Sequence, residues 1–194
     1  MSSIQNVQKL RKETQAPVIE CKRALEEAGG DFEKAKLILK KKGELRAERK
    51  QERVTKSGTV GTYLHSNNKL GVLVELRCET DSVANNADFK KLAHELAMHI
   101  AAMNPQFVSL DSIPEEIINQ KKEKYREEIK DAKKPAEIAE KIIRGKLDKE
   151  MAEICLYQQL FIKDETKAVS DLMKEATAKF GEKIEIGQFA RLQI

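Results

Sequence analysis

The spacing of the apolar residues changes along the chain, and this change restricts the fold to a mixture of helices and sheet. In residues 1–42 the apolar side chains recur every three or four positions, which is the period of an amphipathic helix. Residues 57–78 instead alternate apolar and polar side chains, as a half-buried strand does. Helical spacing returns in residues 87–103. The sequence therefore predicts an α+β fold, with a small antiparallel sheet flanked by helices.

Residues 1–42 predict three short helices. Pro17 suits the first turn of the second helix, because its missing N–H would have no helical partner there in any case. Gly29 and Gly30 end that helix, and Asp31 is placed to cap the third. A strongly charged segment follows. We therefore divide the chain into a helical head (1–45), a charged linker (46–56) and an α+β core (57–194).

The core is predicted to begin with a β-hairpin. Asn67 and Asn68 lie between its strands, and asparagine tolerates the left-handed backbone of a tight turn. The second strand is expected to bury the face that carries Val72, Val74 and Leu76. The helix that follows is expected to bury a stripe of apolar residues: Phe89, Leu92, Ala93, Leu96, Ile100 and Met103.

The rest of the core is predicted to contain a helical hairpin and then a C-terminal helix and strand. The hairpin, about residues 113–150, has few apolar residues and is interrupted at Pro135, so we expect it to protrude as an arm. Gly181 is predicted to stop the last helix in a left-handed conformation. A strand that carries Ile184 and Ile186 is expected to end the chain.

No pattern in the sequence indicates enzymatic chemistry. Phosphate-binding glycine loops and the HExxH and GxSxG motifs are absent. His94 and His99 are five residues apart, so on one helix they point about 140° apart, which does not suit joint metal binding. Cys21, Cys78 and Cys155 are far apart and are predicted to be free thiols in the core. The sequence favours a binding module without a metal, a cofactor or catalytic residues.

The net charge of +4 is concentrated in one segment. Residues 40–53 contain seven Lys or Arg residues and three Glu, and the remaining 29 basic and 29 acidic residues cancel. This segment supports an alternative function, the binding of RNA or the ribosome through phosphate contacts. Its interleaved glutamates and its lack of aromatic residues favour instead a solvated charged helix.

The sequence contains no expected membrane segment. No apolar run approaches the ~18 residues that a spanning helix needs. The N-terminus lacks the apolar centre of a signal peptide. Free cysteines also suit a reducing compartment, so we expect a cytoplasmic protein.

Several segments resemble one protein family. "LRKETQAPVIECKRALEEAGGDFEKA" resembles the N-terminal signature of elongation factor Ts, and "RCETDSV" resembles the second signature of that family. "LAMHIAAMNPQFVS" and "KPAEIAEKIIRGKL" resemble two helical segments that follow in the family. The segments occur in the same order as in the family, and the resemblance as a whole extends over nearly all 194 residues. The chain is therefore identified by resemblance as a short, single-core member of the family.

The resemblance implies a guanine nucleotide exchange factor without covalent chemistry. Its partner would be elongation factor Tu, in the GDP-bound and nucleotide-free forms, with no membrane and no direct nucleic-acid contact. The head (1–45) would be a ubiquitin-associated-like domain that docks on this partner through Arg11, Val18 and Ile19. Adjacent apolar residues on a helix point about 100° apart, so at least one of Val18 and Ile19 is expected to be exposed.

The resemblance also assigns a role to the corner between the hairpin and the next helix. Thr80, Asp81, Ser82 and Val83 would form a tip that displaces Mg²⁺ from the diphosphate of GDP in the partner and so promotes GDP release. The family has phenylalanine where this chain has Ser82, and a serine lacks roughly 2–3 kcal/mol of apolar contact. Ser82 would then mark an impaired or altered tip, a substituted variant, or an exchange mechanism that depends on Asp81 and the head. Gln15, where the family usually has glycine, indicates a turn that avoids positive φ.

The length of the chain implies self-association. Longer members of the family contain two related half-cores, and this sequence has one. Two copies would rebuild the fuller core, so we predict a homodimer to which the sheet and the helix carrying His99 contribute. His99 is a possible interface residue, and the sequence leaves open whether its ring faces the core or a partner.

Overall fold

The computed structural model describes residues 4–14, 16–50, 52–130 and 136–194, with side chains for all of these except 44–50, 130 and 136. Gln15 and Pro135, for which the sequence predicts a turn without positive φ and a helix break, lie outside the described residues.

The order of elements matches the α+β class expected from the sequence. The helices are α1 (Ile4–Thr14), α2 (Val18–Glu27), α3 (Phe32–Lys50), α4 (Asp81–Ala84), α5 (Ala87–Met103), α6 (Glu115–Lys130), α7 (Ala136–Ile154) and α8 (Val169–Phe180). The strands are β1 (Ser57–Leu64), β2 (Leu70–Cys78), β3 (Leu160–Phe161), β4 (Asp164–Ala168) and β5 (Glu185–Gln193). One sheet has the order β1-β2-β5, and β3 pairs with β4. The fold class is confirmed.

The chain divides into two compact units that differ from the predicted division. The first unit consists of Met1–Thr59, Leu76–Phe89 and Asp171–Glu185, and the second of Val60–Glu75, Lys90–Ser170 and Ile186–Ile194. Helix α3 continues to Lys50, through the start of the segment assigned to the linker. The division into head, linker and core stays a prediction based on composition.

The three helices at the start of the first unit share a small apolar core. Its buried members come from all three helices: Leu10, Cys21, Ala24, Leu25, Ala35 and Leu39. Gly29 and Gly30 adopt positive φ values of 64° and 90° after α2, and the Asp31 carboxylate accepts a hydrogen bond from the Lys34 N–H (3.0 Å) at the start of α3. Both helix boundaries therefore form by the means that the sequence indicated.

The β-hairpin forms as predicted. Asn68 adopts a φ of 57° in its turn, and Val72, Val74 and Leu76 are buried while Leu73 is 52% exposed. In the second unit, β1 lies close against α5, because a Cβ added at Gly61 would come within 2.4 Å of the carbonyl oxygen of Ala93. Only glycine allows this approach.

Helix α5 buries most of its predicted stripe. Phe89, Leu92, Ala93, Leu96 and Ile100 are between 0% and 8% exposed. The expectation for Met103 is wrong, since its side chain is 45% exposed. Met103 is the last residue of α5, and Asn104 leaves the helix with a φ of 48°, so the side chain lies where the packed length of the helix ends.

Helices α6 and α7 form the predicted helical hairpin in the second unit. Ile113, which precedes α6, forms one buried apolar cluster with Leu147 and Met151 of α7. The Glu150 carboxylate accepts hydrogen bonds from Lys121 and from the Tyr125 hydroxyl, and this contact raises the pKa of Tyr125 to about 12. A polar contact thus joins the two helices where apolar residues are few; the protrusion of the hairpin stays a prediction.

The pair of strands β3 and β4 is absent from the sequence-based prediction. It has Leu160 opposite Ala168 and Phe161 opposite Asp164, with an irregular register between the two positions. β3 has only two residues, and four of the five residues of β4 (DETKA) are polar, so neither strand shows an alternation of apolar and polar residues.

His99 lies in the core of the second unit with both ring nitrogens occupied. Its Nδ1 accepts a hydrogen bond from the Ile162 N–H (3.2 Å), so its Nε2 carries the proton and donates to Gln159 Oε1 (3.0 Å). Gln159 donates in turn to the carbonyl oxygen of Glu153 (2.6 Å). Burial lowers the pKa of His99 below its ordinary value of 6.5, because a charged ring would lose its hydration.

The burial of His99 predicts a pH-dependent stability. Below about pH 6.5 the unfolded chain binds a proton at His99 that the folded chain does not bind, so the free energy of unfolding decreases as the pH falls. Urea denaturation between pH 7.5 and pH 5.5 should show this slope, and His99→Gln should reduce it.

The matched control for this experiment is His94→Gln, at an exposed histidine of the same helix. Comparing slopes instead of absolute stabilities removes the effect of any packing loss in His99→Gln. A slope that persists in His99→Gln and disappears in His94→Gln would contradict the assignment.

Candidate functional site

The corner between β2 and α5 is a single helical turn with an exposed outer side. We call residues 80–83 the tip. After β2 ends at Cys78, Thr80 is still extended (φ −129°, ψ 155°), and α4 then begins at Asp81. Thr80, Asp81 and Ser82 are exposed and Val83 is half-buried. Three of the four tip residues therefore face solvent.

Backbone hydrogen bonds define the turn. The N–H groups of Ala84 and Asn85 donate to the carbonyl oxygens of Thr80 (3.1 Å) and Asp81 (3.0 Å). The Asp88 N–H then donates to the Asn86 side chain (2.8 Å) where α5 begins. Asparagine and aspartate favour such local bonds to the backbone, which explains why the strand gives way to a tight turn at this point in the sequence.

A buried residue flanks the tip on each side in the sequence and fixes it to the core. Cys78 and Ala84 are 0% and 6% exposed. The Cys78 thiol donates to the carbonyl oxygen of Thr80 (3.2 Å), and burial raises the pKa of this thiol. Cys21, Cys78 and Cys155 are all free and buried, which confirms the prediction that they are core residues.

The segment that follows α8 binds the beginning of the tip. Both the Glu79 N–H and the Thr80 N–H donate to Glu182 Oε2, each at 3.0 Å, and the Thr80 hydroxyl donates to Glu182 Oε1 at 2.6 Å. In the opposite direction, the Lys183 N–H donates to Glu79 Oε1 (2.6 Å). We call these four hydrogen bonds the carboxylate clamp. Each of two glutamates thus binds the backbone of the segment that carries the other.

The start of α5, which follows the tip, contacts the same helix terminus. Phe89, at the start of α5, packs edge-to-face on Phe180 with ring centroids 5.6 Å apart, and the Lys179 amine lies 2.8 Å from the Asp88 carboxylate. Gly181 ends α8 with a φ of 73°, which confirms the predicted left-handed stop. The tip is therefore anchored before and after its exposed turn by residues 179–183.

Two further side chains reach the tip region, one from the first residue of β1 and one from the segment before it. The Ser57 hydroxyl donates to Asp81 Oδ1, and Arg53 lies 3.3 Å from the Glu79 carboxylate. No sequence pattern identified Ser57, Glu79 or Glu182 as part of the site. Thr80 and Glu182 are 102 residues apart, so only the tertiary fold brings them together.

The head residues assigned by resemblance lie on exposed surfaces of α1 and α2. Arg11 is exposed in the last turn of α1. Val18 is 47% exposed and Ile19 is 66% exposed at the start of α2. Pro17 precedes them, and the Cys21 thiol donates to the Ala16 carbonyl oxygen (3.6 Å) beneath them. At least one of these two apolar side chains was expected to be exposed, and both are.

His99, the possible interface residue, is fully buried in the second unit. Its ring packs beside Phe161 with centroids 5.8 Å apart. The choice that the sequence left open is therefore settled for the single chain: the ring faces the core. A role for His99 in contacts between two copies stays a prediction.

The part of the chain that the structure describes contains no group of three or more His, Cys, Asp or Glu side chains arranged to hold a metal ion. Among the described helices, none is both long and apolar enough to cross a membrane. In the basic segment 40–53, the side chains of 44–50 and the whole of residue 51 lie outside the description, so the RNA-binding alternative gains no structural support.

Comparison with known proteins places the chain in one family. The family model described as elongation factor TS matches residues 5–194. An elongation factor Ts of Thermosipho melanesiensis is 48% identical over 194 residues, covering 100% of this chain and 99% of that protein. An elongation factor Ts of Thermotoga petrophila is 50% identical over 192 residues (99% and 96%), and one of Coprothermobacter proteolyticus is 49% identical over 185 residues (95% and 94%). The chain therefore belongs to the elongation factor Ts family, and its role is in translation elongation.

Proposed function

We propose that the chain is a guanine nucleotide exchange factor for elongation factor Tu, which binds the GDP-bound form, displaces Mg²⁺ and promotes GDP release. One observation carries the proposal: the tip, Thr80 to Val83, exposes three polar side chains on a turn that is anchored at both ends. An exposed element that is already rigid can act on a partner without first being ordered.

Thermodynamic linkage explains how such a tip would release GDP. A factor that binds the nucleotide-free partner more tightly than the GDP-bound partner must weaken GDP binding by the same factor. The difference has to come from contacts that form in only one of the two states. Mg²⁺ connects the partner to the diphosphate, so a tip that disturbs Mg²⁺ coordination would supply this difference.

The exposed side chains of the tip fit this role in different ways. Asp81 carries a negative charge at the solvent-facing surface, oriented by the Ser57 hydroxyl. Ser82 is exposed at the position where the family signature has phenylalanine. Nothing in this action breaks a covalent bond, so it requires neither a catalytic acid or base nor a cofactor in this chain.

The head would hold the factor on its partner. Val18 and Ile19 expose apolar surface at the start of α2, and Arg11 is exposed in the last turn of α1. An apolar side chain of this size contributes about 1.5–3 kcal/mol when fully buried. Exposed apolar side chains and an exposed arginine are typical of a protein-binding surface. We propose that this surface sets the affinity and that the tip sets the rate of release.

We also propose that two copies associate in the cytoplasm through the three-stranded sheet. On β1 and β2, Val60, Leu64 and Leu73 are 59%, 65% and 52% exposed, on the strand positions that alternate with buried ones. Leu192 on β5 is 77% exposed. Four exposed aliphatic side chains on one small sheet favour contact with another apolar surface, and a second copy offers an identical one.

The exchange function predicts faster GDP release in the presence of this chain. Elongation factor Tu loaded with fluorescent GDP should lose the nucleotide faster as the chain is added, with a rate that rises to a plateau. Stopped-flow fluorescence gives both the plateau rate and the half-saturating concentration. A release rate that stays at its unassisted value at all concentrations would refute the proposal.

The head variant separates affinity from rate in the same assay. Ile19→Ser should raise the half-saturating concentration and leave the plateau rate nearly unchanged. Leu37→Ser is the control, because Leu37 is also exposed (60%) in the head but carries no proposed contact. Equal effects of the two substitutions would argue against a specific head surface.

Ser82→Phe is predicted to raise the plateau rate. An aromatic ring at this exposed position would add roughly 2–3 kcal/mol of apolar contact, which corresponds to between about 30-fold and about 150-fold in rate if the contact forms only during release. Ser66→Phe, in the exposed turn of the β-hairpin, is the control. An unchanged plateau in Ser82→Phe would show that the tip does not act as a wedge here.

The dimer proposal predicts twice the chain mass in solution. Light scattering should give about 44 kDa, twice the 22.0 kDa of one chain. Leu73→Asp should shift the mass towards one chain, since a charge would replace an exposed apolar side chain in the proposed contact. A mass of one chain for the unsubstituted protein at micromolar concentration would overturn the proposal.

A further inference from the structure

We propose that Glu182 is a positioning residue for nucleotide exchange, which acts by fixing the direction of the tip through the carboxylate clamp. The inference rests on the proposed exchange function. Glu182 lies outside the four tip residues and outside the segments that resemble the family signatures. What points to it is its hydrogen bonding to the backbone on which the tip begins.

The geometry of the clamp fixes direction as well as position. Oε2 of Glu182 accepts from two successive N–H groups, those of Glu79 and Thr80, and Oε1 accepts from the Thr80 hydroxyl. Three donors on two neighbouring residues leave the backbone little freedom to rotate about the end of β2. Hydrogen bonds to an ionised carboxylate are also roughly twice as strong as those between neutral groups.

The clamp is reciprocal, which makes its register specific. Glu79 Oε1 accepts from the Lys183 N–H (2.6 Å) while Glu182 accepts from the Glu79 N–H (3.0 Å). A shift of either segment by one residue would break both bonds together. Arg53, 3.3 Å from Glu79, supplies a positive charge beside the paired carboxylates.

The short loop that carries Glu182 is itself held in place. Gly181 reverses the chain after α8, and its N–H donates to the Thr177 carbonyl oxygen (3.0 Å). The Thr177 hydroxyl, 5% exposed, accepts from the Ile184 N–H (3.3 Å). The clamp therefore fixes the tip relative to the packed end of α8.

The carboxylate clamp matters for exchange because the outer side of the tip is exposed and makes few other contacts. Thr80, Asp81 and Ser82 are exposed, so their packing alone does not select one direction. A tip that samples several directions would engage the partner only in the competent fraction of molecules. Removing the clamp should therefore reduce the rate of GDP release from the bound complex more than it reduces binding.

The test compares two substitutions at Glu182 with one control. Glu182→Gln keeps the length and removes the charge, and Glu182→Asp keeps the charge and shortens the reach by one methylene. Both should lower the plateau rate of GDP release about tenfold, with the half-saturating concentration within about twofold of the unsubstituted value. Glu165→Gln, at an exposed acidic residue of β4, should match the unsubstituted chain.

Three outcomes of this assay would overturn the proposal. An unchanged plateau in Glu182→Gln would show that the clamp is not needed. A normal plateau in Glu182→Asp would assign the effect to charge and not to position. If Glu182→Gln has a normal plateau and only a raised half-saturating concentration, the substitution merely reduces the fraction of folded chain.

A double substitution tests whether Glu182 acts through the tip. Thr80→Val removes the hydroxyl donor and keeps the branched side chain. If Glu182 acts by holding Thr80, adding Thr80→Val to Glu182→Gln should lower the plateau by clearly less than the product of the two single effects. Independent, multiplying effects would contradict a shared action.

Hydrogen exchange in the free chain separates the clamp from the exchange function. The amides of Glu79 and Thr80 should exchange about tenfold faster in Glu182→Gln, while amides in the middle of α5 keep their rates. Unchanged exchange at both amides would refute the clamp itself. If the unsubstituted chain fails to speed GDP release but the two amides do lose protection, the exchange function is wrong and the clamp is only structural.

Discussion

The contacts of the α8 terminus with the segments before and after the tip are the constraint on which the candidate site depends. Before the tip, Glu182 accepts from the backbone of Glu79 and Thr80; after it, Phe180 packs against Phe89. One contact is polar and directional, and the other is apolar and buried. Together they hold a one-turn helix whose own four residues could not keep a fixed position in water.

The chain separates exposed polar residues that face solvent from apolar residues that hold them. Cys78 and Ala84 are buried directly beside Thr80, Asp81 and Ser82. In the head, buried apolar residues instead support exposed apolar ones. A core of six buried residues is too small to cover Val18 and Ile19 as well. Exposed apolar surface on a small domain is unfavourable unless a partner covers it, which agrees with a factor that works by binding.

The second unit shows how a polar group can be part of a core. His99 is buried because Gln159 and the Ile162 N–H satisfy both of its ring nitrogens, and this fixes the neutral form of the ring. The helical hairpin uses a related solution, in which Glu150 joins Lys121 and Tyr125 across α6 and α7. Where apolar residues are sparse, hydrogen-bonded polar side chains define which surfaces meet.

The sequence by itself determined the elements whose signals are local. Apolar spacing gave the three head helices, the hairpin and α5, and Asp31, Asn68 and Gly181 marked their ends. The assignment of residues 80–83 as the tip came from the resemblance of "RCETDSV" to a family signature, and its role stays a proposal. The sequence did not predict β3 and β4, which show no alternation of apolar and polar residues. It also misplaced Met103, whose burial depends on where packing on α5 stops. Only the tertiary structure decided that Glu182, 102 residues from Thr80, holds the tip, since hydrogen bonds between distant segments leave no periodic trace in a single sequence.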